Sequence, residues 1–100
     1  MRILLVCAGG ASTSILMKKM EKYAKENSFE LEITAKGITE YDEYASQYDV
    51  ILLGPQISYK REEIEIRMQK PVAVIKPYDY AIGNAENIFK QVHSIYPQTK

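Results

Sequence analysis

The sequence predicts an α/β protein, a four-stranded parallel sheet in the order 2-1-3-4 with helices on both faces. Three observations point there. Two runs, Ile3-Leu4-Leu5-Val6 and Val50-Ile51-Leu52-Leu53, are apolar throughout, as strands buried on both faces are. A third run, from Phe29 to Ala35, alternates apolar and polar residues. Between the runs, apolar side chains recur at spacings of three and four, the period of a helix. Strands that alternate with helices build parallel sheets through right-handed crossovers.

Each element has its own signal. The first strand closes at Gly9-Gly10. From about Ala11 to Glu26, Leu16, Met20, Tyr23 and Ala24 share one helical face, and Ser12 or Thr13 offers the N-cap oxygen. Phe29, Leu31, Ile33 and Ala35 alternate with Glu30, Glu32 and Thr34, a half-exposed edge strand. A short tyrosine-rich helix is expected over Glu40–Ser46, with Tyr41, Tyr44 and Tyr48 as half-buried packing. Asp49–Leu53 is the third strand, ended by Gly54-Pro55, and a helix is expected from about Ile57 to Gln69. Pro71–Ile75 reads as the fourth strand and Pro77–Tyr80 as a loop. The last helix carries Ala85, Ile88, Phe89, Val92 and Tyr96 on one face.

With the two apolar strands central and the alternating one at an edge, the first and third strands lie side by side. Their connections leave in opposite directions, which opens a crevice at their carboxyl ends where such sheets bind ligands. Cys7-Ala8-Gly9-Gly10 lines one side of it and Gly54-Pro55-Gln56 the other.

Composition narrows the function. One hundred residues make one domain, 1–100, able to bury a core without metal or disulfide support. Thirteen basic and thirteen acidic residues cancel, so no global field draws in nucleic acid or an anionic membrane. No apolar run approaches the ~20 residues of a membrane helix, so direct insertion is not expected. The single cysteine allows no internal disulfide and supplies no resolving thiol, which argues for a reducing, cytoplasmic setting. No metal or cofactor is expected. Asp42, Glu43, Asp49, Glu62, Glu63 and Glu65 read as solvated faces, and the lone His93 as a surface residue of the last helix.

The candidate chemistry sits in Cys7-Ala8-Gly9-Gly10-Ala11-Ser12-Thr13-Ser14. A glycine turn lets successive N–H groups converge on an anion, and the helix behind adds free amides and a positive dipole end. Ser12, Thr13 and Ser14 add hydroxyl donors, and the loop contains no lysine or arginine. The same donors favour thiolate, the form of cysteine that attacks and later leaves. A free cysteine at the end of a central strand is commonly just a small buried hydrophobe. The Gly-Gly and Ser-Thr-Ser that follow weigh against that. A dinucleotide fingerprint and a Walker loop are both missing.

These residues, together with Leu52-Leu53-Gly54-Pro55-Gln56-Ile57-Ser58-Tyr59, resemble the enzyme IIB component of the bacterial phosphoenolpyruvate-dependent sugar phosphotransferase system, lactose/cellobiose (chitobiose) branch. The resemblance spans essentially the whole chain. It implies that Cys7 takes a phosphoryl group from a histidine of a IIA protein and passes it to a β-linked disaccharide held by the membrane protein IIC. It also implies a cytoplasmic carrier, transiently at the inner face of the membrane through IIC. Ala8, Gly9, Gly10, Ala11, Ser12 and Thr13 would bind the phosphate, with Gln56, Tyr59, Asp79 and Tyr80 at the cleft or partner surface. Family members often have a glycine after the tyrosine at position 80, where this chain has Ala81.

Two other readings stay open. Low-molecular-weight tyrosine phosphatases share the architecture and the cysteine loop, but their arginine six residues after the cysteine is Thr13 here. Such a cation is worth ~10³–10⁵ in phosphoryl transfer. Asp79 follows the fourth strand, where those enzymes keep a general acid. The third reading is a non-catalytic module that binds an anion reversibly.

Overall fold

The computed structural model describes residues 1–8 and 13–96, excluding the Thr13 side chain. Four parallel strands, β1 (Arg2–Cys7), β2 (Glu32–Gly37), β3 (Val50–Leu53) and β4 (Val72–Val74), form one sheet in the order β2-β1-β3-β4. The expected order is the one observed. Helices α1 (Thr13–Glu26), α2 (Arg61–Met68), α3 (Pro77–Ile82) and α4 (Ala85–Ile95) complete the chain, with 3₁₀ turns at Tyr41–Glu43, Ala45–Gln47 and Pro55–Lys60.

Alternation along the central strands sorts the core into two layers. Ile3, Leu5, Val50, Leu52 and Ala73 face α1 and α4, where Leu16, Met20, Ile88, Phe89 and Val92 cover them. Leu4, Val6, Ile51, Leu53 and Val72 face the other way, onto Tyr41, Tyr48, Ile57 and Ile64. Every residue from Ile3 to Val6 and from Val50 to Leu53 is fully buried, which is why both runs are apolar without a break. Each such side chain contributes roughly 1.5–3 kcal/mol.

Several boundaries differ from the sequence reading, each for a local reason. The edge strand begins at Glu32 rather than Phe29. Ser28 takes a left-handed φ of 61°, and Ser28 and Phe29 donate back to Lys25 and Ala24. Their amides therefore end α1 in a Schellman-type stop, and the Phe29 ring packs edge-on against Phe89 at 5.1 Å. The expected Glu40–Ser46 helix is two 3₁₀ turns with Tyr44, at φ −116°, between them. The expected Ile57–Gln69 helix is divided: Ile57 is non-helical at φ −119° and ψ 27°, and the α-helix runs only from Arg61 to Met68 before Gln69 turns left-handed. The expected Pro77–Tyr80 loop is the helix α3, opened by Pro77 in its first turn and closed by Gly83 at φ 68°.

Four carboxylates read as solvated are bonded, Glu63 and Glu65 to Lys60 and Arg61 about one turn away on the surface, Asp49 and Asp42 to more distant partners. Asp49 Oδ2 accepts from the Arg2 amide at 2.9 Å, and Asp42 Oδ2 from Arg67 Nη2 at 2.6 Å. Tyr41 and Tyr48 are buried rather than half-buried, whereas Tyr44 is half-buried with the Lys36 ammonium 4.1 Å from its ring centre.

Candidate functional site

The four strands end within one residue of a common level, β1 and β2 one residue beyond β3 and β4, and backbone hydrogen bonds extend the ladder just past them. Ile38 donates to Cys7 O at 2.9 Å, Gly54 to Val6 O at 3.0 Å and Ile75 to Leu53 O at 2.9 Å. Beyond that level β1 runs toward α1 on one face of the sheet, while β3 turns into α2 on the other. The carboxyl ends of β1 and β3 therefore flank the point where the sheet's connectivity reverses.

Cys7 is the last residue of β1 and the only cysteine in the chain. Alternation places its side chain on the α1/α4 face with Ile3 and Leu5. It is 7% exposed, and its Sγ lies 3.8 Å from the Lys36 carbonyl oxygen on β2. Ala8, next in sequence, is exposed. Gly9, Gly10, Ala11, Ser12 and the side chain of Thr13, all expected to bind phosphate, lie outside the described residues.

Across the crevice, Gly54 is buried. A methyl group at its Cα would sit 2.9 Å from Gln56 Oε1, 3.8 Å from Tyr80 Cε1 and 4.0 Å from Val6 O. Gln56 and Tyr80 thus converge over the end of β3, beside β1. Tyr80 also lines a cavity of about 190 Å³ with Ile15, Leu16 and Lys19 of α1 and the Ala81–Gly83 segment. Lys19 Nζ crosses that space to donate to Ile82 O at 3.0 Å. Tyr59 stands on the rim, 77% exposed.

Asp79 is directed elsewhere. It is 6% exposed, its Oδ1 accepts from Asn87 Nδ2 at 3.2 Å, and it lines a polar cavity with Lys76, Lys90 and Gln91. It is a buried tie to α4. Nothing in the sequence singles out Ile15, Lys19 or Asn87, whereas Pro77 and Gly83 mark the start and stop of α3. Among the described residues no group of histidine, cysteine and carboxylate side chains could hold a metal ion, and no helix is long and apolar enough to cross a membrane.

An open parallel sheet with a single cysteine at the end of a central strand defines a small α/β protein of doubly wound type. The chain belongs to the family described as "PTS system, Lactose/Cellobiose specific IIB subunit", whose model matches residues 2–91. It is a IIB component of a sugar phosphotransferase system, a transferase that acts in sugar transport. It is 34% identical over 101 residues to the PTS system galactose-specific EIIB component of Lactococcus lactis subsp. cremoris, covering 93% of this chain and 94% of that protein. It is 33% identical over 97 residues to the PTS system oligo-beta-mannoside-specific EIIB component of Bacillus subtilis, covering 94% of each. The solution structure of a cellobiose-specific phosphotransferase IIB component from Borrelia burgdorferi superposes with a TM-score of 0.77 at 32% identity, over 100% of this chain and 95% of that one. A 25% identical segment, spanning 68% of this chain, also makes up 12% of the PTS system lactose-specific EIICB component of Lactococcus lactis subsp. lactis.

Proposed function

We propose that Cys7 is the phosphoryl-carrying residue of this IIB component. The observation that carries the reading is a lone thiol at the end of the central strand β1, at the switch point, opening the loop to α1. The Cys7 thiolate attacks the phosphorus of a phosphohistidine on a IIA protein. An S–P bond forms, the P–N bond breaks with its electron pair going to nitrogen, and the ring, protonated on its other nitrogen, leaves as neutral imidazole. In the second transfer a hydroxyl of a sugar bound by the membrane protein IIC attacks the same phosphorus. The S–P bond breaks, the thiolate is restored, and the hydroxyl proton passes to a base on the acceptor side or to water. The backbone amides of Ala8 to Thr13 hold the phosphoryl oxygens between these events.

The acceptor is a β-linked disaccharide of the cellobiose, chitobiose or lactose type, a choice supported by the cellobiose- and oligo-beta-mannoside-specific relatives. The lactose-specific EIICB chain, which joins a IIB-like segment to IIC, supports IIC as partner and the cytoplasmic face of the membrane as the meeting place. A phosphocysteine carrier must make water a poor acceptor, and a loop without arginine suits that need.

The test separates a carrier from a hydrolase and from a reversible anion binder. After exposure to phosphorylated IIA, the label should survive denaturation, and p-nitrophenyl phosphate turnover should be negligible. Label lost on unfolding would mean bound phosphate only. Nitrophenolate release that requires Cys7 would make the protein a phosphatase.

A further inference from the structure

Asp79 is the only buried charged side chain among the described residues, and nothing in the carrier chemistry uses it. A buried carboxylate is retained only where its hydrogen bonds repay desolvation. Its surroundings form a closed set of bonds. Asp79 Oδ1 accepts from Asn87 Nδ2 at 3.2 Å, and the Asp79 carbonyl accepts from the Asn84 amide at 2.9 Å. Asn84 Oδ1 in turn accepts from the Asn87 amide at 3.1 Å, capping α4. Three residues thereby lock the end of α3 to the start of α4.

Tyr80 follows Asp79 on α3 and points a different way, as neighbours about 100° apart on a helix do. Its ring reaches the Gly54 side of the crevice and the first turns of α1. It stands between the two elements that leave the carboxyl ends of β1 and β3. Helix α3 has six residues, too few to hold a position by its own hydrogen bonds. Tyr80 packs on the α1/α4 core layer, and two further ties hold the helix: the clasp to α4 on one side and Lys19 on Ile82 O on the other.

We propose that the Asp79–Asn84–Asn87 clasp is a positioning device that holds the Tyr80 ring as a wall of the Cys7 site, with Asp79 acting through Tyr80 and not on the phosphoryl group. The consequence for transfer rests on the carrier reading; the consequence for geometry does not.

Asp79→Ala, Asn87→Ala and the exchange Asp79→Asn with Asn87→Asp test it. The readouts are the amide shifts of Gly54 and Ile15, which feel the Tyr80 ring current, the rate of phosphoryl transfer at saturating phosphorylated IIA, and Tm. Both single variants should move the two shifts toward those of Tyr80→Ala. They should also slow transfer about tenfold, a modest case of the loss that misplacement by an ångström brings. The exchange, which keeps one carboxylate and one amide facing each other, should restore shifts and rate. A fall in Tm with both shifts and rate unchanged would make Asp79 a merely structural residue and overturn the proposal, as would single variants that shift Gly54 and Ile15 without slowing transfer. If the wild-type protein takes no phosphate from IIA, the carrier reading fails, while the Gly54 and Ile15 shifts still decide whether the clasp holds Tyr80.

Discussion

Gly54 and Gly83 carry opposite constraints, and substituting each by alanine separates them. Gly54 has φ −64° and ψ 152°, a conformation open to any residue, and the nearest obstacle to a methyl is the end of an exposed glutamine side chain. Gly54→Ala should leave stability within about 1 kcal/mol of the wild type in urea unfolding, since reduced freedom of the unfolded chain offsets the displaced Gln56. Gly83 has φ 68°, and an added methyl would meet Lys19 Cδ at 2.5 Å. Gly83→Ala should cost about 1–2 kcal/mol from the left-handed backbone alone, plus the loss of the Lys19 bond to Ile82 O. Thr13 carries a third residue-level prediction. If the missing cation is what protects a phosphocysteine from water, Thr13→Arg should shorten its lifetime, followed by phosphate release at neutral pH. An unchanged lifetime would assign the protection to geometry or water exclusion.

At the scale of elements, α4 is held by a cap and by its buried face. Asn84→Ala removes the bond to the Asn87 amide and should cost about 1 kcal/mol. Phe89→Ala empties the centre of the α1/α4 layer, where Phe89 touches Tyr23 and Phe29, and should cost about 3–5 kcal/mol. The ratio of the two midpoint shifts in one denaturation series tests whether packing or capping dominates. The same elements show what a sequence makes legible. The strands β1 and β3 and the helices α1 and α4 were readable because burial imposes a period on their side chains. The start of β2 was not, because Phe29 and Leu31 are apolar for a different reason: Phe29 packs on Phe89 and Leu31 on the same core layer, while the Phe29 amide closes α1. The break at Ile57 was hidden because that residue is buried in a 3₁₀ turn as fully as it would be in a helix. Helix α3 was misjudged because Tyr78 is exposed, Asp79 buried and Tyr80 half-buried, the reverse of what polarity suggests. Both outer carbonyls of β4 were equally unreadable: Arg61 Nε donates to Val72 O at 3.4 Å and Gln91 Nε2 to Val74 O at 2.8 Å, contacts that join distant positions.

On the scale of the whole molecule, the strand order follows from a count of apolar faces. Two strands buried on both sides are central and one with a polar side is an edge, and pairing the edge strand with β1 puts the switch point between β1 and β3. That much places Cys7 at the crevice from the sequence alone. The walls of the crevice were harder to read. Tyr80 reaches Gly54 and α1 because α3 docks on α4, an arrangement set by Asp79, Asn84 and Asn87 together rather than by any motif. The neutral balance of charge supplies no long-range field to steer a partner. Everything in the functional reading converges on the Cys7 sulfur, and the most direct test is intact mass after incubation with phosphorylated IIA. One phosphoryl group should appear on the wild-type chain and none on Cys7→Ser. Equal labelling of the serine variant, or a label located on any other residue, would contradict the assignment of Cys7 as the carrier.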